Sequence, residues 1–438
     1  MILQYFTDPV LRAPTIGSML MCFVASLIGV VVVIRRRSLL GETLSHASYP
    51  GVVISALVAG SFFPNSEEGL ACAVLIGALL FALLGLFCLH KLQTRFKVQS
   101  DAALCFVLSV FLGVGVLIAS RIQITHALWY RQIQIYLYGQ VATMTDVHIW
   151  IYSALSFLVL LVFILLYRDI EMINFDRDFS KSVGIRVSFI DGILYLLLGL
   201  AIVIGIRSVG VVLMSGMLIA PAVAARQFSH RLHLVFFLAG IFGALSGFLG
   251  NYLSVEIPQM LNDKFSLPTG PMIVLSASFL CFTALLIAPG RGLFNRTIAA
   301  AFFRDHCQLE NILKTFWKKG EESVLSLKEI AVLQGGSPCG IWMRLTRLTF
   351  QGWLEGTGWG SYRLTRDGKK RARRIVRLHR LWEVYLVYLG RGVDKVHHSA
   401  EEMEHIITPE LEKELTDLLQ DPKSDPHAQP IPSKDKLP

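Results

Sequence analysis

For its first 290 residues the chain alternates long apolar runs with short charged ones, and then that alternation stops. A helix of roughly 20 apolar residues crosses the hydrocarbon core of a bilayer. Runs of about that length occur near residues 15–34, 69–90, 101–119, 148–167, 188–206, 232–253 and 269–289. Two further segments, 39–64 and 209–226, are apolar but hold more polar or proline residues; with them the count is about nine spans. The expected fold is mainly α: a polytopic membrane helical bundle over residues 1–290, then a different kind of module. After Pro289-Gly290 charges become frequent and residues 291–438 hold no spanning run, which leaves room for one cytoplasmic domain or two small ones.

Composition agrees with this division. Of 438 residues 53% are hydrophobic and only 17% charged, with a mean hydropathy of +0.55, so most of the apolar surface must face lipid. The basic clusters Arg35–Arg37, Lys91–Lys97, Arg168–Arg186, Arg226–Arg231 and Arg291–Arg296 follow alternate spans. The positive-inside rule makes all of them cytoplasmic, with the N-terminus outside and the C-terminus inside; Arg121 and Arg131 fall on the opposite side. The N-terminus has neither a charged region nor a small-residue cleavage site, so no cleaved signal peptide is expected. Seven scattered cysteines form no CxxC and suggest neither disulfides nor a zinc-thiolate site. The net charge of +9 is concentrated: residues 363–380 hold nine Lys or Arg against one acid, Asp367, a solvated face or a contact for anionic lipid or nucleic acid.

In the membrane part, Arg35–Gly51 reads RRRSLLGETLSHASYPG. On a helix Glu42 and His46 share one face, a carboxylate and imidazole suited to Mn²⁺, Fe²⁺ or Zn²⁺, although a structural hydrogen bond between them is the simpler reading. Pro50 would kink the helix. The loop NFDRDFSKSVGIRVS (174–188) is short, charged and amphipathic, and 208–232 is rich in small residues that let helices pack closely. These three stretches, in this order and spacing over roughly residues 10–290, resemble the permeases of manganese/zinc/iron ABC uptake systems. That family's first motif has Asp where this chain has Glu42. The resemblance implies that Glu42 and His46 line the metal path. It implies that the loop around Phe175, Asp176, Phe179 and Gly184 docks on a separate ATPase subunit. A periplasmic metal-binding protein and a second permease subunit, identical or different, would complete the system in the bacterial inner membrane. The chain has no G-x4-GK[ST] with which to hold ATP and no recognisable catalytic constellation, as suits a transport subunit rather than an enzyme.

In the soluble part, Leu309–Lys319 reads as a short amphipathic helix, Ser326–Glu329 as a capping box, and Ser337-Pro338 as the start of another helix. Two β-like pieces about a Gly-rich turn follow, and Thr365 caps a long basic helix. That order is a winged helix-turn-helix over 307–376. Arg344 and Arg347, with Thr346 and Thr349, would face the major groove, while Arg363, Lys369, Lys370 and Arg373 would meet phosphates. Downstream, His379 and Glu383 stand at i, i+4, as do His397 and Glu401, and Glu401, Glu404 and His405 would share a helical face, a hard-ligand set suited to a divalent metal. The segment 307–432 resembles metal-dependent repressors of the diphtheria toxin repressor family, without the SH3-like third domain of some members. The resemblance implies one metal site at His379, Glu383 and His397, and another at Glu401, Glu404 and His405 with Asn311 in the first-helix ligand position. Residues 377–432 would then be the metal-sensing and dimerisation domain, 291–306 a linker, and 433–438 part of a Pro- and charge-rich loose tail. The combined expectation is a permease of an ATP-driven divalent metal importer fused to a metal-dependent repressor. Fe²⁺, Mn²⁺ or Zn²⁺ would serve as substrate and co-repressor, operator DNA as partner, and proteolysis within about 291–307 as the release step. The alternative is a permease whose C-terminal domain gates transport without binding DNA.

Overall fold

A computed structural model describes residues 2–62, 67–125, 127–261, 266–358, 360–392 and 396–433; residues 63–64 of the second apolar segment, the Arg131 side chain and the tail 434–438 lie outside the described set. The chain divides into two units, Met1–Arg296 and Thr297–Pro438.

The first unit is built from α1 (Gln4–Thr7), α2 (Pro9–Ile34), α3 (Leu39–Phe62), α4 (Glu67–Thr94), α5 (Ser100–Thr125), α6 (Ala127–Tyr138), α7 (Asp146–Leu165), α8 (Tyr167–Phe175), α9 (Arg177–Ser182), α10 (Val187–Val209), α11 (Met214–Phe228), α12 (Leu232–Met260) and α13 (Thr269–Ile287). Among the described residues seven helices are long and apolar enough to cross a membrane: α2, α4 from Cys72, α5, α7, α10, α12 and α13. They coincide with the seven stronger apolar runs. The other two segments of the expected nine are helices as well, α3 of 24 residues and α11 of 15, but by length and composition they do not join the seven. The physical reason is their position. α3 packs against α4 and α5, and α11 against α2, α12 and α13, so protein rather than lipid surrounds much of each. Backbones approach closely there: a Cβ on Gly29 of α2 would meet the Leu218 carbonyl oxygen of α11 at 1.8 Å, and one on Gly51 of α3 would meet the Gly77 carbonyl oxygen of α4 at 2.2 Å.

Two of the three arginines that follow α2 are fixed by polar partners. Arg35 donates to Asp191 of α10 at 2.7 Å and to Asn174 of α8 at 3.1 Å, and Arg177 of α9 also pairs with Asp191. Arg37 donates to the Tyr195 hydroxyl at 2.9 Å. Thus the α2–α3 corner and the α8–α9 loop are held on one buried carboxylate.

The boundary between the units falls within α14 (Leu293–Lys319), a single 27-residue helix. The expected short helix at Leu309–Lys319 is therefore the end of a longer one, and the expected linker 291–306 is helical from Leu293; its Ala299–Ala301 run favours helix. The second unit continues with β1 (Leu325–Ser326), α15 (Leu327–Gln334), α16 (Pro338–Phe350), β2 (Leu354–Gly358), β3 (Ser361–Leu364), α17 (Arg366–Tyr388), α18 (Val396–Met403) and α19 (Pro409–Leu418). The sheet is antiparallel in the order β1-β3-β2, with Leu325 opposite Tyr362 and Leu354 opposite Leu364. Leu309, Ile312, Leu313 and Phe316 of α14 close a core with Ile330, Ile341, Leu345, Leu348, Leu354, Leu364 and Ile375. Ser326 and Glu329 form the reciprocal capping box of α15, Gly335 ends it in the left-handed region, and Ser337 accepts from the Gly340 amide to start α16. The Pro-rich end differs from the loose tail read from composition. Arg377, almost fully buried, donates to the Pro432 carbonyl at 2.7 Å and to Asp421 at 3.1 Å, and Ile431 donates back to Lys423, so residues 421–432 lie strapped along α17.

Candidate metal centre and nucleic-acid interface

Three side chains from two helices converge in the second unit. On α17, His379 and Glu383 stand one turn apart, with His379 Nε2 3.2 Å from Glu383 Oε1. From the start of α18, His397 Nδ1 comes within 2.8 Å of Glu383 Oε1 and 3.1 Å of His379 Nε2. A divalent ion bound at about 2.1 Å places neighbouring ligand atoms about 3 Å apart. The three atoms therefore already stand at the edges of a coordination shell. His379 and Glu383 are buried and His397 is half exposed, which leaves an entrance beside a cavity of about 260 Å³ also lined by Asp425, His427 and Gln429.

The electrostatics favour a cation here. Burial works against the Glu383 carboxylate, but hydrogen bonds and charge from His379 and His397 outweigh it and hold the group down at about 2. Burial also works against a charged His379, yet the carboxylates of Glu383 and Glu404 raise its pKa. Two imidazoles and a carboxylate on one side of an open space suit Fe²⁺, Mn²⁺ or Zn²⁺.

The second expected set is arranged differently. Glu401 is on α18, whereas Glu404 and His405 lie in the turn after it, not on one helical face. His405 Nδ1 pairs with Glu310 Oε2 at 2.7 Å, and Arg371 pairs with Glu310 Oε1 at 2.5 Å. Glu404 receives the Lys314 ammonium at 2.7 and 3.0 Å, and Glu401 is 3.9 Å from the same nitrogen. Asn311 offers its backbone carbonyl to Gln334 and Thr315. Sequence reasoning missed Glu310, Lys314 and Arg371. The signal was available: Lys314 falls inside the α14 stripe of Leu309, Ile312, Leu313 and Phe316, where a charge is costly without a partner.

On the winged helix, Ile341, Leu345 and Leu348 of α16 face the core, while Met343, Thr346 and Phe350 point outward. Both arginines of this helix reach Asp305 on α14, Arg344 at 3.2 Å and Arg347 at 2.5 Å. Thr346 bonds back to the Trp342 carbonyl. Arg363 pairs with Glu355 across the wing, Lys369 with Glu322, and Lys370 with Asp367. Further along α17 the basic run serves the fold: Arg373 pairs with Glu321, Arg374 with Glu412, and Arg380 donates to the Pro430 carbonyl.

In the first unit Glu42 and His46 stand on α3, with His46 Nε2 3.9 Å from Glu42 Oε1. Glu42 is 39% exposed at its side chain, whereas His46 is buried and its Nδ1 has no partner. The Glu42 carboxylate is too far from Nε2 for a hydrogen bond, and it is the other ring nitrogen, Nδ1, that is buried without a partner. In the α8–α9 loop Asp176 caps α9 by accepting from Asp178 and Phe179, Gly184 takes φ +90°, and Phe175 and Phe179 are exposed, Phe175 to 92%.

With this geometry in place, residues 7–288 match the ABC 3 transport family. The chain belongs to that family. Residues 365–433 match a second family, the iron dependent repressor, metal binding and dimerisation domain, and they contain every ligand candidate of the second unit except Asn311. A "Probable metal transport system membrane protein" of Chlamydia trachomatis is 35% identical over 98% of this chain and 97% of its own length, so the two parts occur together there as well. The "Manganese transport system membrane protein MntC" of Bacillus subtilis is 32% identical over 85% of this chain and 83% of its own. Among solved structures, "PsaBC from Streptococcus pneumoniae in complex with Fab" superposes on 66% of this chain and 96% of that one, with 26% identity and a TM-score of 0.55. This ABC 3 chain is a membrane metal-transport permease with a C-terminal iron-dependent repressor domain fused to it.

Proposed function

We propose that the chain is the membrane subunit of an ATP-driven importer of Fe²⁺, Mn²⁺ or Zn²⁺ in a bacterial inner membrane, and that its cytoplasmic domain reads the imported ion. Glu42 and His46 form a waystation on the path. The exposed Phe175 and Phe179, with Asp176 and Gly184 shaping the loop, dock a separate ATPase; a periplasmic binding protein delivers the ion and a second permease subunit completes the pore. Relatives named for manganese and for zinc support the divalent class without choosing within it.

In the cytoplasm, His379, Glu383 and His397 bind the ion as co-repressor, and α16, opened by Ser337 and carrying Arg344, Thr346 and Arg347, enters the major groove while Arg363, Lys369 and Lys370 meet phosphates. The observation that carries this reading is the convergence of two imidazoles and a carboxylate within 3.2 Å, next to a winged helix. Release by proteolysis within about 291–307 would free the domain from the membrane, and a cut there needs α14 to open locally, since it runs unbroken from Leu293. An immunoblot against the C-terminus tests that step: only full-length, membrane-bound protein would sink it. The pairing of Arg344 and Arg347 with Asp305 favours keeping the second reading, a metal-sensing gate without DNA binding. A gel shift of fragment 300–438 on its own promoter, with and without Mn²⁺ or Fe²⁺, separates the two, since a gate gives no metal-dependent shift.

A further inference from the structure

The Lys314 ammonium is buried where the second set of metal ligands was expected, and its surroundings define what it does. Its side chain is 7% exposed and that of Glu404 is fully buried. Both Glu404 oxygens accept from it, at 2.7 and 3.0 Å, and Glu401 lies 3.9 Å away. A divalent ion held by the same oxygens at about 2.2 Å would collide with this nitrogen and repel its charge. The carboxylate has a second task. His379 Nδ1 lies 2.5 Å from Glu404 Oε2 and 3.2 Å from the Lys314 nitrogen, which can only donate; with the carboxylate accepting from both, Nδ1 carries the proton. The lone pair of His379 is then on Nε2, the atom that faces Glu383 and His397. A carboxylate that fixes the tautomer of a ligating imidazole in this way strengthens it as a ligand.

Resting on the metal-sensing reading above, we infer that Lys314 is a built-in cation that replaces one of two metal ions. The sensor therefore takes a single divalent ion per chain, at His379, Glu383 and His397, with Glu404 as a positioning residue for His379 rather than a ligand. His405, another candidate of that second set, is likewise engaged, since Glu310 holds it and Arg371 neutralises Glu310. With the Lys314 charge always present, the response follows the occupancy of one site.

The test is the number of Mn²⁺ ions bound per full-length chain in detergent by equilibrium dialysis, in the Glu42→Ala/His46→Ala background so that the permease pair is silent. One ion is expected, lost in His397→Ala. Glu404→Gln should keep one ion with affinity down about 10- to 100-fold. Lys314→Met should bind a second ion, Lys314→Arg should not, and adding Glu404→Gln to Lys314→Met should return the count to one. Two ions in the parent chain, with one lost in Glu404→Gln, would overturn the inference while leaving the metal-sensing reading intact. So would a Lys314→Met chain that melts like its parent and still binds one ion. A count unchanged by His397→Ala would instead overturn the metal-sensing reading, and the inference with it.

Discussion

The two candidate metal sites use the same ligand chemistry in opposite ways. On α3 the pair Glu42–His46 is open: 3.9 Å apart, with one imidazole nitrogen buried and unpartnered. In the second unit the ligand atoms of His379, Glu383 and His397 are already within 3.2 Å of one another. A transport site must let go as readily as it binds, so few preorganised ligands serve it. A sensor must hold long enough to report, and ligands set in advance at coordination distance lower the cost of binding. The Glu404 carboxylate behind His379 belongs to the second strategy, and among the described contacts nothing comparable stands behind His46.

Substitutions at each site should break this contrast in separable ways. The largest effect expected is on uptake: His46→Ala or Glu42→Ala should cut metal accumulation in cells by at least about tenfold, since losing a ligand costs no less than losing its outer partner. Unchanged uptake in both would remove the pair from the path. Next in size, Glu383→Ala should abolish metal-dependent DNA retardation of the 300–438 fragment while leaving uptake by the full chain within about twofold. A smaller effect should follow from Asp305→Asn, which frees Arg344 and Arg347. Two surface ion pairs at about 0.5 kcal/mol each sum to about 1 kcal/mol, so DNA binding should tighten by roughly fivefold. Weaker binding would mean that Asp305 orients the arginines rather than occupying them. The smallest is a control on the scaffold: Ser326→Ala removes the capping box of α15 and should cost about 1 kcal/mol of stability in the fragment's thermal unfolding, with its metal count unchanged.

How much was legible in the chain itself differs between the two units. In the membrane part, hydropathy located every strongly apolar helix, because lipid demands long unbroken runs. It was less decisive for α3 and α11, which neighbouring helices shield and which can afford serines, a histidine and prolines. In the soluble part capping chemistry placed α15, α16 and α17 well, since Ser326, Ser337 and Thr365 each accept from the amide that a cap requires. Charge was the poor guide. Residues 363–380 read as a solvated face or a contact for anionic lipid or nucleic acid, but Arg373, Arg374, Arg377 and Arg380 turn inward to α19, the C-terminal strap and the acids near Glu321. Spacing alone shows how many charges a helix has, not which of them already have partners. Lys314 shows the same limit, because its meaning comes from Glu404, 90 residues away.

The central claim is that one chain both carries a metal and answers to it through His379, Glu383 and His397. The most direct measurement is retardation of promoter DNA by fragment 300–438 over a titration of Mn²⁺, comparing the natural sequence with His397→Ala. The account predicts a shift that requires metal in the first and is absent in the second. A shift indifferent to metal, or equal in the two proteins, would contradict it.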